Sequence, residues 1–334
     1  MEPIKRAYTN HSEGKAHAKL ILGGEHSVVY GIPAVVLPVP LIVMARVSKN
    51  EKSQYTWIHS KLISGHNHKP PVLLEGFFKM IHLIQERIHI PQSDRALNIE
   101  ILSDIPIRSG LGSSAAVANA IANAVIKFYR GDVPNDLLLQ AVHLAECHAH
   151  GNPSGMDMIA TSENAPILFK KNIKNPNKPF QFKKVPIVGT YYFVTGLTGI
   201  EVMTKTVVEK FAQTLNQNSE DDYLFGLNDF DAVVRKMLAA LKFGNLKALG
   251  EAMNDNHQLL MKYGVSSPAL DHLVSTAKIS GALGAKLTGK GVGGAMIALC
   301  DTLEIANTVK ESLLNQGAKK SYGFCISKSG ITEF

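Results

Sequence analysis

The chain has 334 residues, and 35 lysines and arginines against 28 acidic residues leave a formal charge of +7. At roughly 150 residues per domain this length predicts two domains, and 45% apolar with 19% charged residues excludes a disordered, collagenous or coiled-coil chain. The basic residues are spread along the sequence rather than gathered with aromatics, which argues against a nucleic-acid partner and for attraction of a small anionic substrate.

Cys147, Cys300 and Cys325 are too few and too scattered for a disulfide framework or a four-cysteine zinc site. They suit a reducing compartment, and the expected location is cytoplasmic. The polar start MEPIKRAYTNHSEGK predicts neither a signal peptide nor a targeting helix. The longest apolar run, Ile32 to Ala45, is interrupted by Pro33, Pro38 and Pro40. A membrane helix needs about twenty residues with an unbroken backbone ladder, so no membrane association is expected.

Taken in chain order, Lys19 opens an apolar strand, Leu20 to Leu22. A lysine there is either a snorkelling edge residue or a functional cation. Further strands are predicted over Ala34 to Val47 and Leu97 to Leu102. Next, Pro106 to Ala116 (PIRSGLGSSAA) runs glycines and small residues straight into a helix predicted from Ser113 to Tyr129. Unpaired N–H groups at such a helix start face outward at the positive end of a dipole, and Gly110 and Gly112 let a phosphate approach them. The competing reading is a tight turn with Ser113 as the N-cap.

A second helix is predicted from Asp136 to His150. It carries Glu146 and leads into His150 to Asp157 (HGNPSGMD), where a carboxylate, a hydroxyl and a tight turn suit a metal-bound phosphate meeting an acceptor. An Asn-Pro turn with solvated charges explains the segment equally well. His143, Cys147, His148 and His150 crowd this helix, but a second pair at metal-ligand spacing is missing, which leaves a zinc site disfavoured.

The polar tract Lys170 to Pro179 (KKNIKNPNKP) precedes the predicted boundary, which divides the chain into 1–183 and 184–334. An extended run over Pro186 to Val194 and then mainly helix follow. Lys286 to Gly294 (KLTGKGVGG) contains a literal G-x-G-x-x-G. A buried strand, Ala295 to Cys300, comes after it where a dinucleotide fold needs a helix. Gly291 stands where a Walker loop needs Ser or Thr, so a glycine hairpin between strands is expected. A helix from Asp301 to Gln316, with Asp301 and Glu304 as a capping box, and a strand from Tyr322 to Ser327 complete an α+β pattern.

Four segments in this order resemble the GHMP kinases: Lys19 to Gly31 (KLILGGEHSVVYG), Pro106 to Ala116, Gly151 to Asp157 and Lys286 to Gly294. The resemblance implies a two-domain fold with a cleft between an N-terminal domain containing a left-handed β-α-β unit and a ferredoxin-like C-terminal domain. It implies ATP as co-substrate, Mg2+ as cofactor and a small-molecule alcohol as acceptor. The run EHSVVYG favours mevalonate over galactose, with phosphomevalonate or another small alcohol as the alternative acceptor. The resemblance leaves room for a homodimer.

Carried over by motif, the resemblance makes Asp157 the residue that prepares the acceptor hydroxyl, with Lys19 beside it. Pro106, Gly110, Leu111, Gly112, Ser113, Ser114 and Ala115 would bind ATP, and Ser114 with Glu146 would hold the metal. Glu25, His26, Ser154 and Thr204 would contact the acceptor. Gly289, Gly291, Gly293 and Gly294 would form the third motif. Two departures from the family pattern stand out: Lys290 and Val292 interrupt the third glycine run, and Val194 to Thr204 lacks the usual Asp-Thr-Gly, leaving Thr204 in the threonine's place.

Overall fold

The computed structural model of the chain describes residues 10–107, 109–151, 153–175, 178–200, 207, 211–215 and 220–334. Two compact units emerge, one made of Met1–Ala18, Leu41–Pro106 and Gly112–Glu163, the other of Lys19–Pro40, Ile107–Leu111 and Asn164–Phe334. Strands β1 (His11–Gly23) and β2 (Ala34–Lys49) each give one half to either unit.

In the first unit, β1 alternates exposed and buried residues from His11 to Ala16, the period-two signature of a sheet with one covered face. The second half of β2 pairs antiparallel with β5 (Leu97–Ser103), from Val43 opposite Ser103 to Lys49 opposite Leu97. β5 lies parallel to β3 (Trp57–Ser60), which forms a hairpin with β4 (Ser64–His66). Four helices complete the unit: α1 (Glu75–Arg87), α2 (Ser113–Arg130), α3 (Asn135–His150) and α4 (Met156–Ser162). Twelve residues of α2 are buried, among them Ala115, Ala118 and Ile121, which makes it a central helix rather than a surface one. Its alanines permit close approach, and the Ser12 hydroxyl donates to the Ala124 carbonyl at 2.7 Å.

In the second unit, the first half of β2 pairs with β6 (Ile167–Lys171), and β6 pairs with β7 (Phe180–Lys184). A separate antiparallel sheet has the order β12 (Gly330–Glu333), β11 (Lys320–Ser327), β8 (Tyr191–Leu197), β10 (Ala295–Cys300), β9 (Gly284–Thr288). Helices α5 (Glu220–Phe243), α6 (Leu246–Lys262), α7 (Pro268–Ile279) and α8 (Leu303–Asn315) accompany it. Phe230, Leu260, Leu270 and Val309 from these helices join Leu287, Met296 and Ala298 in one core. β9 and β10 are buried at every position, as the AMIALC run predicts for β10.

Three local expectations are corrected. Within the extended run expected over Pro186 to Val194, the paired strand begins only at Tyr191, because Pro186 brings no amide and Gly189, at φ +94°, turns the chain. The cap of α8 is Thr302, whose hydroxyl accepts from the Ile305 amide at 3.2 Å, and not Asp301. The N-cap of α2 is Gly112 at φ +76°, not Ser113, and it makes no side-chain cap bond. Among the described residues no helix is long and apolar enough to cross a membrane.

Candidate active site

In the first unit, α2 organises one group of the predicted site residues. With Gly112 as a cap that lacks a side chain, the first amides of α2, at Ser113, Ser114 and Ala115, have no side-chain capping partner from it. This is the chemistry of an anion cradle. Within the first turn, the Ser114 hydroxyl donates to Glu146 Oε1 at 2.8 Å, joining α2 to α3. Glu146 is only 4% exposed, and its other oxygen lies 3.8 Å from His150 Nε2.

α2 also braces α4, because the Asn119 side-chain amide donates to the Met158 carbonyl and to the Thr161 hydroxyl, both at 2.8 Å. Asp157 stands half-buried in the first turn of α4, behind Gly155 at φ +83°. A carboxylate there is favoured by the helix dipole. The Ser154 hydroxyl accepts from the Met156 amide at 3.3 Å, fixing the turn. Pro106 is half-buried at the end of this unit's β5 segment.

The crowded histidines of α3 have separate destinations. His148 Nδ1 accepts from Lys79 at 3.3 Å, and its Nε2 faces Glu75 at 3.2 Å, a bracket between α1 and α3. Cys147 and His143 pair with each other at 3.4 Å. Among the described residues no group of three or more His, Cys, Asp or Glu side chains is disposed around a common metal position.

In the second unit, Lys19 lies well inside β1, not at its start, and is 4% exposed, so its head does not snorkel into water. Its amide donates to the Leu111 carbonyl at 3.0 Å, tying the opening motif to the segment before α2. Gly110 has open space where a side chain would stand. A Cβ at Gly289 or Gly294 would lie 3.6 Å and 3.5 Å from the carbonyls of Gly110 and Ser109, so the third motif runs alongside this segment.

The hairpin expected between β9 and β10 is present, and its glycine loop is pinned throughout. Gly291, at φ +74°, could not carry a side chain, because a Cβ would come 2.2 Å from the Val265 carbonyl. Gly293 packs on Ile200, and the Gly294 carbonyl accepts from the Thr198 amide at 2.8 Å. Val292 holds φ +58°, an unfavourable place for a β-branched residue. Thr204 lies outside the described residues.

The opening and third motifs meet through three side-chain contacts. Thr288 exchanges two hydrogen bonds with the Ile21 backbone, donating to its carbonyl at 2.9 Å and accepting from its amide at 3.0 Å. Lys286, fully buried in β9, forms an ion pair with the equally buried Glu25 and donates to the Leu287 carbonyl at 2.6 Å. Burial raises the Glu25 carboxyl and lowers the Lys286 ammonium, and their mutual attraction opposes both shifts.

His26 makes the third contact, its Nε2 lying 3.1 Å from the Lys290 carbonyl while the ring stacks on Phe211 at 5.2 Å. Burial pushes its pKa down to about 4, so the ring is neutral at pH 7. Because a carbonyl can only accept, Nε2 carries the proton and Nδ1 keeps a lone pair. That Nδ1 is buried and has no hydrogen-bond partner among the described residues, nor has Glu25 Oε2. The sequence reading missed Lys286 and the neutral state of His26. The available signal was a lysine between Ala285 and Leu287 in a strand that otherwise reads as core.

Comparison with known proteins defines the class. The GHMP kinases N terminal domain profile matches residues 76–163, and the GHMP kinases C terminal profile matches residues 237–319. The chain belongs to the GHMP kinases, with their two-domain α+β fold. It is 32% identical over 316 residues to the mevalonate kinase of Pyrococcus horikoshii, covering 88% of this chain and 91% of that one. It is 31% identical over 322 residues to the mevalonate kinase of Thermococcus sibiricus, with the same coverage. It also resembles the crystal structure of L. major mevalonate kinase in complex with R-mevalonate, at TM-score 0.82 and 25% identity, covering 97% of this chain and 98% of that chain.

Proposed function

We propose that this chain transfers the terminal phosphoryl group of ATP to the primary hydroxyl of mevalonate, giving 5-phosphomevalonate and ADP. The observation that carries this reading is similarity to mevalonate kinases at 31–32% identity over nine-tenths of their length. The acceptor oxygen forms a bond to the terminal phosphorus, the bond from that phosphorus to the bridging oxygen of ADP breaks, and the hydroxyl proton passes to Asp157. Lys19 offers a buried compact ammonium to the charge that moves during transfer. Pro106, Gly110, Leu111 and Gly112 shape the approach to the α2 amides of Ser113, Ser114 and Ala115, which hold the phosphates. Gly289, Gly291, Gly293 and Gly294 are assigned to the nucleotide phosphates as well.

Ser114 and Glu146 would hold Mg2+. The fit is chemical: a hydroxyl and a buried carboxylate already share one hydrogen bond, and hard oxygen donors with phosphate oxygens completing the shell are what this cation takes. When bound it neutralises phosphate charge. On the acceptor side, the lone pair of His26 Nδ1 is suited to receive a substrate hydroxyl. Glu25, Ser154 and Thr204 are assigned to the same side. The assigned domain boundary is 183/184, with the opening, phosphate-binding and catalytic motifs before it and the third glycine motif after it. Three free thiols accord with a cytoplasmic enzyme, and a homodimer is compatible with the reading. A coupled assay of ADP release with mevalonate, phosphomevalonate and galactose tests the proposal. Turnover with mevalonate at least about a hundredfold above the other two is expected, and preference for either rival would overturn it.

A further inference from the structure

We infer that Lys286 is a positioning residue of the active site, which fixes Glu25 and through it the loop that presents His26. Glu25 and His26 are adjacent in the turn after β1, where His26 holds φ +57° and Gly24 holds φ +93°. The turn is closed by backbone bonds from Ser27 to Glu25 and from Val28 to Gly24. A turn of such conformations needs an anchor, and the anchor is the Glu25 carboxylate gripped by Lys286 across 261 residues of sequence.

Stability alone gives no reason for this pair. Ala285 and Leu287 flank Lys286 in a fully buried strand, and apolar side chains in place of both Lys286 and Glu25 would satisfy the core as well or better. The neighbouring cations divide the work. Lys19 also acts on Glu25 electrostatically, but Lys286 holds Glu25 Oε1 in a direct bond and leaves Oε2 facing the interior without a hydrogen-bond partner among the described residues. His257, which also feels the Lys286 charge, is kept neutral chiefly by burial, with that charge adding to the effect, so it supplies no countercharge. Compensation of Glu25 therefore falls on Lys286, and the orientation of Glu25 falls with it.

This inference rests on the kinase reading, because acceptor constants are its readout. Wild-type turnover of mevalonate is the control that tests that reading separately. If another alcohol proves to be the acceptor, the experiment runs with that alcohol. Lys286→Met should raise the acceptor KM by about tenfold or more while the ATP KM stays within about twofold, since only one substrate meets the Glu25–His26 turn. In the cycle with Glu25→Gln, the double variant should be no worse than Glu25→Gln alone, because the effect of Lys286 on acceptor binding passes through Glu25. If Lys286→Met leaves its carboxylate partner stranded and fails to fold, the comparison of Glu25→Gln with the double variant still decides, as both lack the buried anion. An unchanged acceptor KM, equal losses for both substrates, or a double variant about tenfold below Glu25→Gln would overturn the assignment.

Discussion

Gly250→Ala is expected to destabilise the protein, against the sign that helix propensity gives. Gly250 is interior to α6, where alanine gains about 1 kcal/mol over glycine. Here the helix backbone touches the start of β9: a Cβ on Gly250 would lie 2.6 Å from the Leu283 carbonyl oxygen, and one on Gly284 would lie 2.1 Å from the Gly250 oxygen. Both neighbours are backbone, so restoring a 3.4 Å contact requires α6 and β9 to part by about 0.8 Å. Two hydrogen bonds hold them together now, from the Ala285 amide to Asn254 Oδ1 at 3.1 Å and from the Leu287 amide to His257 Nδ1 at 3.3 Å. That separation would stretch both to about 4 Å, beyond bonding range. Each buried amide left alone costs about 1–3 kcal/mol. After the propensity gain is deducted, a net loss of about 1–5 kcal/mol remains. Urea unfolding of wild type and variant measures it directly, and the ATP KM should rise because β9 leads into the glycine loop. Unchanged or increased stability would refute the reasoning.

Asp157→Asn should lower turnover by about two to four orders of magnitude while nucleotide binding survives, since the amide keeps the shape and loses the proton acceptor. Near-normal turnover removes Asp157 from the mechanism. Glu146→Gln should raise the magnesium concentration needed for half-activity, because a neutral oxygen replaces a charged one beside Ser114; an unchanged titration makes Glu146 structural. Both His26 and His257 have pKa values lowered by burial from 6.5 to about 4. Between those values the unfolded chain binds protons that the folded chain refuses. Their contribution is therefore fully present above pH 6.5 and lost as pH falls to 4, up to about 3 kcal/mol for each residue. Urea midpoints at pH 7, 5.5 and 4.5 should fall in that order and fall less steeply in His257→Gln, whereas a flat profile contradicts the buried neutral state.

What the sequence discloses depends on the range of the interaction. The bounds of α2, α3 and β10 follow from local periodicity and apolar runs, and the structure places them within a residue or so of expectation. The four glycine and catalytic motifs are contiguous, so their order alone carries the family. Capping is less legible, since Ser113 and Asp301 are as eligible by type as Gly112 and Thr302, and only the backbone path decides. Least legible are the long-range pairs. Nothing near Glu25 points to Lys286, and His26 is neutral because it is buried, with its ring stacked on Phe211, while the hydrogen bond to the Lys290 carbonyl pulls its pKa the other way. Composition suggests a snorkelling lysine at 19 as readily as a buried one, and only the packed β1 separates the two.

The bonds between α6 and β9 have a consequence for the behaviour of the protein in a crowded solution. β9 is the last strand of its sheet, and such an edge ordinarily presents a row of open amides on which a strand of another molecule can pair. Asn254 and His257 close two of those amides from the helix side, and Thr288 is engaged by the Ile21 backbone. Side chains that look like internal packing thus act as blunting groups, denying a template for intermolecular β-pairing. Their loss would register first as association of folded molecules, in light scattering at high concentration, before any change in turnover.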